Sequence, residues 1–349
     1  MTLSHFLDAT QRYDRAHVRD AIRLLPEQCK EATLAAPKLP WAYRGLEHVV
    51  VAGMGGSGLG AHVVQTALAD HLRVPFTIVN DYALPAFVNR RTLVIASSYS
   101  GTTEETLAAY KEAKVRGAKL VVVANSGTLA AMAKRDGVPM VAVSAKYNPS
   151  GQPRYGVGST TFGVLEILRA AHLVRITATE IDRAITALRV TLARIERSAT
   201  TLDLARTLDT RIPLLIGAEH VAGALHVVQN QIHESAKHIA ASFLLPELNH
   251  HLLEGLRFPR TNPRMLHAVV FASAQYHPRT QRRVTITRDI LAKQRITSTA
   301  IALTADTRLG QALETIAHGA YLGLALAMHH RINPAPVPWV AEFKRRLTR

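Results

Sequence analysis

A chain of 349 residues with 48% hydrophobic and 19% charged residues has a globular composition and exceeds the length at which one core commonly divides, so two domains are expected. No apolar run reaches membrane-spanning length, no basic segment precedes the early acid Asp8, so no signal peptide is expected, and the single cysteine, Cys29, excludes an internal disulfide and fits a cytoplasmic setting. The formal charge of +16 raises nucleic acid as a partner, but the basic residues are dispersed, their densest runs (279–283 and 344–349) carry no aromatic residue to stack a base, and residues 1–44 show no helix-turn-helix pattern, so neither nucleic acid nor a membrane is expected.

In chain order, the first half alternates apolar, β-branched runs at 48–52, 76–79, 93–96, 120–124 and 140–143 with helical patterns at 61–71, 104–116 and 129–135. Such alternation predicts a parallel sheet covered on both faces. Two loops between these elements carry chemistry. The run at 48–52 leads into Gly53-Met54-Gly55-Gly56-Ser57-Gly58-Leu59-Gly60. The run at 93–96 leads into Ser97-Ser98-Tyr99-Ser100-Gly101-Thr102-Thr103. Both loops sit where a strand hands over to a helix, and the free N–H groups of a helix N-terminus attract an anion. Hydroxyls add donors, and Gly101 lets the backbone approach closely. A capping box accounts for one hydroxyl and one acid of the second loop, but not for the whole cluster. The first loop also fits G-x-G-x-x-G, and Asp81 lies where a dinucleotide fold expects an acid. Two hydroxyl-bearing loops suit one small phosphate better than a pyrophosphate.

Residues 159–207 read as largely helical, a bridge to the second half. There, apolar runs fall at 213–217, 265–271, 284–287 and 298–303, and residues 225–241 read as helix. The halves echo one another: Gly53 and Gly217 are each followed nine positions later by His-Val-Val-Gln, at His62 and at His226. This favours duplication of one fold. The second copy lacks the glycine-serine loop, so phosphate is expected only in the first.

The two hydroxyl loops resemble those of the sugar isomerase (SIS) domain. The resemblance extends over residues 45–349 to the bifunctional phosphoglucose/phosphomannose isomerases. Gly151-Gln152-Pro153-Arg154-Tyr155-Gly156, Gln231-Ile232-His233-Glu234-Ser235-Ala236-Lys237, Pro246-Glu247-Leu248-Asn249-His250-His251, His277-Pro278-Arg279 and the tail from Asn333 through Lys344 match in order. It implies an α/β fold of two SIS-type subdomains (1–190 and 191–349), each a flavodoxin-like parallel sheet flanked by helices. It further implies a cytoplasmic isomerase acting on a small sugar phosphate and requiring no metal or redox cofactor. Gly56, Ser57, Ser98, Ser100 and Thr103 would hold the phosphate. Glu234 would be the base, with partial burial in its helix raising its proton affinity. Arg154 would clamp the enediolate. His250 would open the ring, reaching a neighbouring subunit and so implying a homodimer, and Lys344 would assist near the ring oxygen. From the residues alone Glu234 reads first as a surface acid paired with Lys237 or His238, and only the resemblance makes it the base. The chain departs from the family at Thr102 and His251, where Asn is usual; the Thr102 hydroxyl can still donate, and the His251 change, beside His250, bears on substrate preference more than on activity. Another SIS-domain sugar-phosphate isomerase or lyase with a different substrate, or a sugar-phosphate sensor without catalysis, would share the loops; the trio Glu234, Arg154 and His250 argues against the sensor.

Overall fold

A computed structural model describes residues 2–347. Three helices, α1 (Leu3–Tyr13), α2 (Val18–Arg23) and α3 (Leu25–Leu34), precede β1 (His48–Ala52), α4 (Leu59–Ala67), β2 (Phe76–Val79), β3 (Thr92–Ser98), α5 (Glu104–Val115), β4 (Lys119–Ala124), α6 (Gly127–Asp136) and β5 (Met140–Ala142). Next come α7 (Val157–Ala170), α8 (Ala178–Glu196) and α9 (Thr200–Leu208). The second half runs β6 (Ile212–Ala218), α10 (Ala222–Gln231), β7 (Ala241–Leu245), α11 (Leu252–Gly255), α12 (Asn262–Met265), β8 (Leu266–Ser273), α13 (Pro278–Lys293), β9 (Thr297–Leu303), α14 (Arg308–His329) and α15 (Pro338–Leu347).

Both sheets are parallel, ordered β2-β1-β3-β4-β5 and β7-β6-β8-β9. The duplication is therefore topological: β1 sits between β2 and β3 as β6 sits between β7 and β8. Strand periodicity divides each buried run between two cores. Val49 and Val51 join the large core with α4 and α7, whereas Val50 and Ala52 join a smaller one with Ala109, Tyr110 and Leu129 of α5 and α6. Between the sheets, α4 packs on α7 and α10, and α10 on α14, which is buried along most of its length. The paired histidines of the repeat meet there, the His62 and His226 ring centroids lying 4.4 Å apart. Equivalent residues touching one another mark an approximate two-fold relation between the halves. Residue 190 lies within α8, which packs against both α3 and α14.

Two expectations fail locally. Residues 284–287 are not a strand but part of α13, where Val284, Thr287 and Leu291 form the buried face. Their β-branched alternation was outweighed by Pro278 at the helix start and by the crossover that two parallel strands require. The helix expected over 225–241 ends early: α10 passes into a π-helical turn, Ile232–Ala236, and Lys237 adopts a left-handed φ of 52°. Residues 241–245 then form the edge strand β7, whose apolar run is too short to separate from the preceding helix by pattern alone.

Candidate active site

In a sheet of this order the chain reverses direction between β1 and β3, and the crevice outside their carboxyl ends is the ligand-binding position of open α/β sheets. Both hydroxyl loops lie there and are stitched together. The Ser97 hydroxyl donates to the Ser57 carbonyl at 2.7 Å, and the Tyr99 N–H donates to Ser57 Oγ at 2.8 Å. Just after β2, the Asn80 amide donates to the Gly53 carbonyl at 2.6 Å. Gly101 has φ +68°, and a Cβ there would stand 1.7 Å from the Ser126 carbonyl oxygen. Thr103 occupies the N-cap position of α5, yet its side chain does not cap the helix; its hydroxyl pairs with Ser98 Oγ at 2.9 Å. The capping box therefore does not explain this loop. Gly58 likewise gives α4 no side-chain cap. Two helix N-termini without a side-chain cap thus converge beside Ser57, Ser98, Ser100 and Thr103, a setting suited to an oxyanion. At the departure from the family pattern, the Thr102 hydroxyl lies 3.0 Å from Ser100 Oγ.

Gly56 connects this crevice to the second group. A Cβ at Gly56 would stand 2.7 Å from the Arg154 nitrogen, so the glycine loop lies flat against the Pro153–Tyr155 turn. Arg154 is 1% exposed, and all five of its N–H donors have protein acceptors. Nε donates to Ser235 Oγ at 2.9 Å, and Nη1 to Gln152 Oε1 and Glu234 Oε2, each at 2.9 Å. Nη2 donates to the Pro334 and Ala335 carbonyls at 2.7 and 2.8 Å. Glu234 is the open member of the pair, its side chain 27% exposed against 0% for Arg154. The expected apolar surroundings of Glu234 are thus replaced by a buried guanidinium. A carboxylate held this way is fixed in position yet reachable from solvent.

Sequence reasoning passed over Lys237 except as a partner for the Glu234 carboxylate. Its ammonium instead donates to the carbonyls of Glu234 (2.8 Å), Ser235 (3.4 Å), Asn333 (3.2 Å) and Pro334 (3.3 Å). It ties the π-helical turn to the tail segment that Arg154 also grips. Burial, then the neighbouring Arg154 charge, lowers its pKa from 10.5 to about 8. The Tyr155 hydroxyl, 2.7 Å from Ser235 Oγ, completes the support. His238 turns away, its Nε2 lying 2.8 Å from the Arg211 carbonyl oxygen. The adjacent His329 and His330 both face Asp209, at 3.4 and 3.3 Å.

His250 does not join this group within one chain. Glu234 precedes the first residue of β7, and His250 follows its last, exposed at the end of a single-turn helix, Glu247–His250, that Leu248 anchors in the core. The strand alone separates them by about 13 Å of extended backbone. Lys344 lies on α15, which contains no buried residue.

Residues 43–161 match the SIS domain model, and residues 198–347 match that of the bacterial phospho-glucose isomerase C-terminal SIS domain. The chain belongs to the SIS-domain family. Its SIS relatives include the bifunctional phosphoglucose/phosphomannose isomerase of Caldicellulosiruptor bescii, 29% identical over 340 residues (94% of this chain, 98% of the relative). That of Aquifex aeolicus is 28% identical over 307 residues, covering 87% and 91%. Among solved structures, a hypothetical protein from Thermus thermophilus superposes with a TM-score of 0.76 at 18% identity, covering 99% of this chain and 93% of that one. The two parallel sheets are therefore SIS folds, as the loops suggested.

Proposed function

We propose that this protein is an aldose–ketose isomerase that interconverts glucose 6-phosphate, and also mannose 6-phosphate, with fructose 6-phosphate through an enediolate. The observation that carries the reading is the solvent-accessible Glu234 carboxylate, held by a buried Arg154 whose turn lies against the phosphate loop. Phosphate is taken by Ser57, Ser98, Ser100, Thr103 and the backbone at Gly56. Glu234 removes the proton from C2 and returns it to C1, while a hydroxyl proton passes between O2 and O1. Arg154 Nη1 is the guanidinium edge nearest this chemistry. When Gln152 yields its bond, Nη1 faces the enediolate oxygens and stabilises their charge. Metal and redox chemistry have no role in this scheme.

In this reading the chain acts as a cytoplasmic homodimer, divided at 190/191, with His250 opening the ring in the partner's site and Lys344 assisting. The length of β7 between Glu234 and His250 supports action across an interface. So does the uncovered apolar face of α15, where Trp339 is 84% and Phe343 64% exposed. A coupled assay on purified protein with each hexose 6-phosphate tests the function. Glu234→Gln keeps the size and removes the proton acceptor, so kcat should fall at least about 100-fold with KM little changed. Near-normal turnover in that variant would remove Glu234 from the mechanism.

A further inference from the structure

We propose that the N-terminal half of α13 carries a second anion-binding site, for a small phosphate-bearing molecule, separate from the cleft. Arg279, Arg282 and Arg283 fall in the first two turns of this helix, which has no acid in its first turn. The arrangement works against the helix. The positive end of the dipole repels them, and Arg279 faces Arg282 and Arg283 at i+3 and i+4. Among the described residues none of the three is in an ion pair, whereas Arg19, Arg116, Arg183 and Arg308 each hold a carboxylate. Charges placed against the local gradient and left without a counter-charge are stabilised by an anion from outside.

The three arginines line a cavity of about 450 Å³ with an aliphatic side formed by Leu253, Ile286 and Ile290. Arg283 is already aimed: its Nη1 donates to Asn249 Oδ1 at 3.2 Å, and Asn249 donates in turn to Thr287 Oγ1 at 2.8 Å. The volume is that of a small-ligand pocket, and guanidinium groups match phosphate geometry. No aromatic lines the cavity to stack a base, which disfavours single-stranded nucleic acid. The Asn249 link places the site beside the turn that carries His250, beyond the other end of β7 from Glu234. The site stands independently of the isomerase reading.

The test is calorimetric titration of inorganic pyrophosphate into the full chain saturated with fructose 6-phosphate, and separately into Ser98→Ala/Ser100→Ala. Both should show one remaining site per chain, weakened by about tenfold or more in Arg279→Gln/Arg282→Gln. Pyrophosphate should also raise the Tm of the wild type and not of the arginine variant, whose own Tm should equal or exceed the wild type's. Equal pyrophosphate binding by wild type and arginine variant would overturn the proposal, as would a lower Tm of the variant without ligand. Cross-linking of two copies through Arg282→Cys would do the same, by assigning the face to a subunit contact.

Discussion

Lys237 is where the geometry of single residues has its sharpest consequence. As an ammonium it supplies three donors to four carbonyls on two segments; as an amine it supplies two and turns a lone pair toward them. Deprotonation of Lys237 near pH 8 therefore removes one donor, and a positive charge beside Glu234, from the active-site turn. A kcat/KM profile should show an alkaline limb there, and Lys237→Arg, which stays charged, should move that limb upward. Stability moves the other way. The unfolded chain keeps this proton up to about 10.5 while the folded one releases it near 8, so between those values Lys237's contribution to stability rises with pH. Activity falling while Tm holds distinguishes the two effects, and an alkaline limb unmoved in Lys237→Arg would discard this role.

Among elements, the two loops at the switch point divide the work. Ser100→Ala should weaken phosphate inhibition by about 1.5–3 kcal/mol, the range for a hydrogen bond to a charged group, and raise KM. Gly56→Ala acts differently, because its Cβ meets the Pro153 and Arg154 backbone rather than a flexible side chain. It should displace the Arg154 turn and lower kcat more than it weakens phosphate. Equal effects of both changes on phosphate and on kcat would mean that the loops and the Arg154 turn move as one body. The element that separates Glu234 from His250, β7, was the one strand not legible in the sequence. Its five residues follow the helix after a connection of only four residues, with no Gly or Pro to mark the break, so only pairing with β6 defines it.

At the scale of the molecule, mixing tests the subunit arrangement. Glu234→Gln and His250→Ala chains should each be inactive, and co-refolding them should restore about a quarter of wild-type activity, since half the dimers then carry one intact site of two. No recovery on mixing would place His250 in its own chain's site or outside the chemistry. Stability should depend on pH through the buried and partly buried histidines. Burial lowers the pKa of His62, His267 and His318 from 6.5 to about 4. The unfolded chain therefore takes up protons that the folded one refuses, and stability present above pH 6.5 is lost as pH falls toward 4. Thermal unfolding between pH 7.5 and 4.5 should show this decline, less steeply in His62→Gln.

What the sequence by itself determined are features that repeat locally or depend on residue type. These are the first sheet's five strands, the glycine and hydroxyl loops at their ends and the duplicated His-Val-Val-Gln helices. Each is set by short-range pattern, since apolar alternation specifies a strand and glycine permits the left-handed turn. Tertiary structure alone decided which polar groups face one another. Arg154 meets Glu234 because Gly56 leaves its turn room to approach, and Lys237 reaches Asn333 across nearly a hundred residues because the tail folds back onto the π-helical turn. Residues 284–287 became helix because a parallel crossover overrides β propensity. Such partners are chosen by packing between distant segments, which no local pattern encodes.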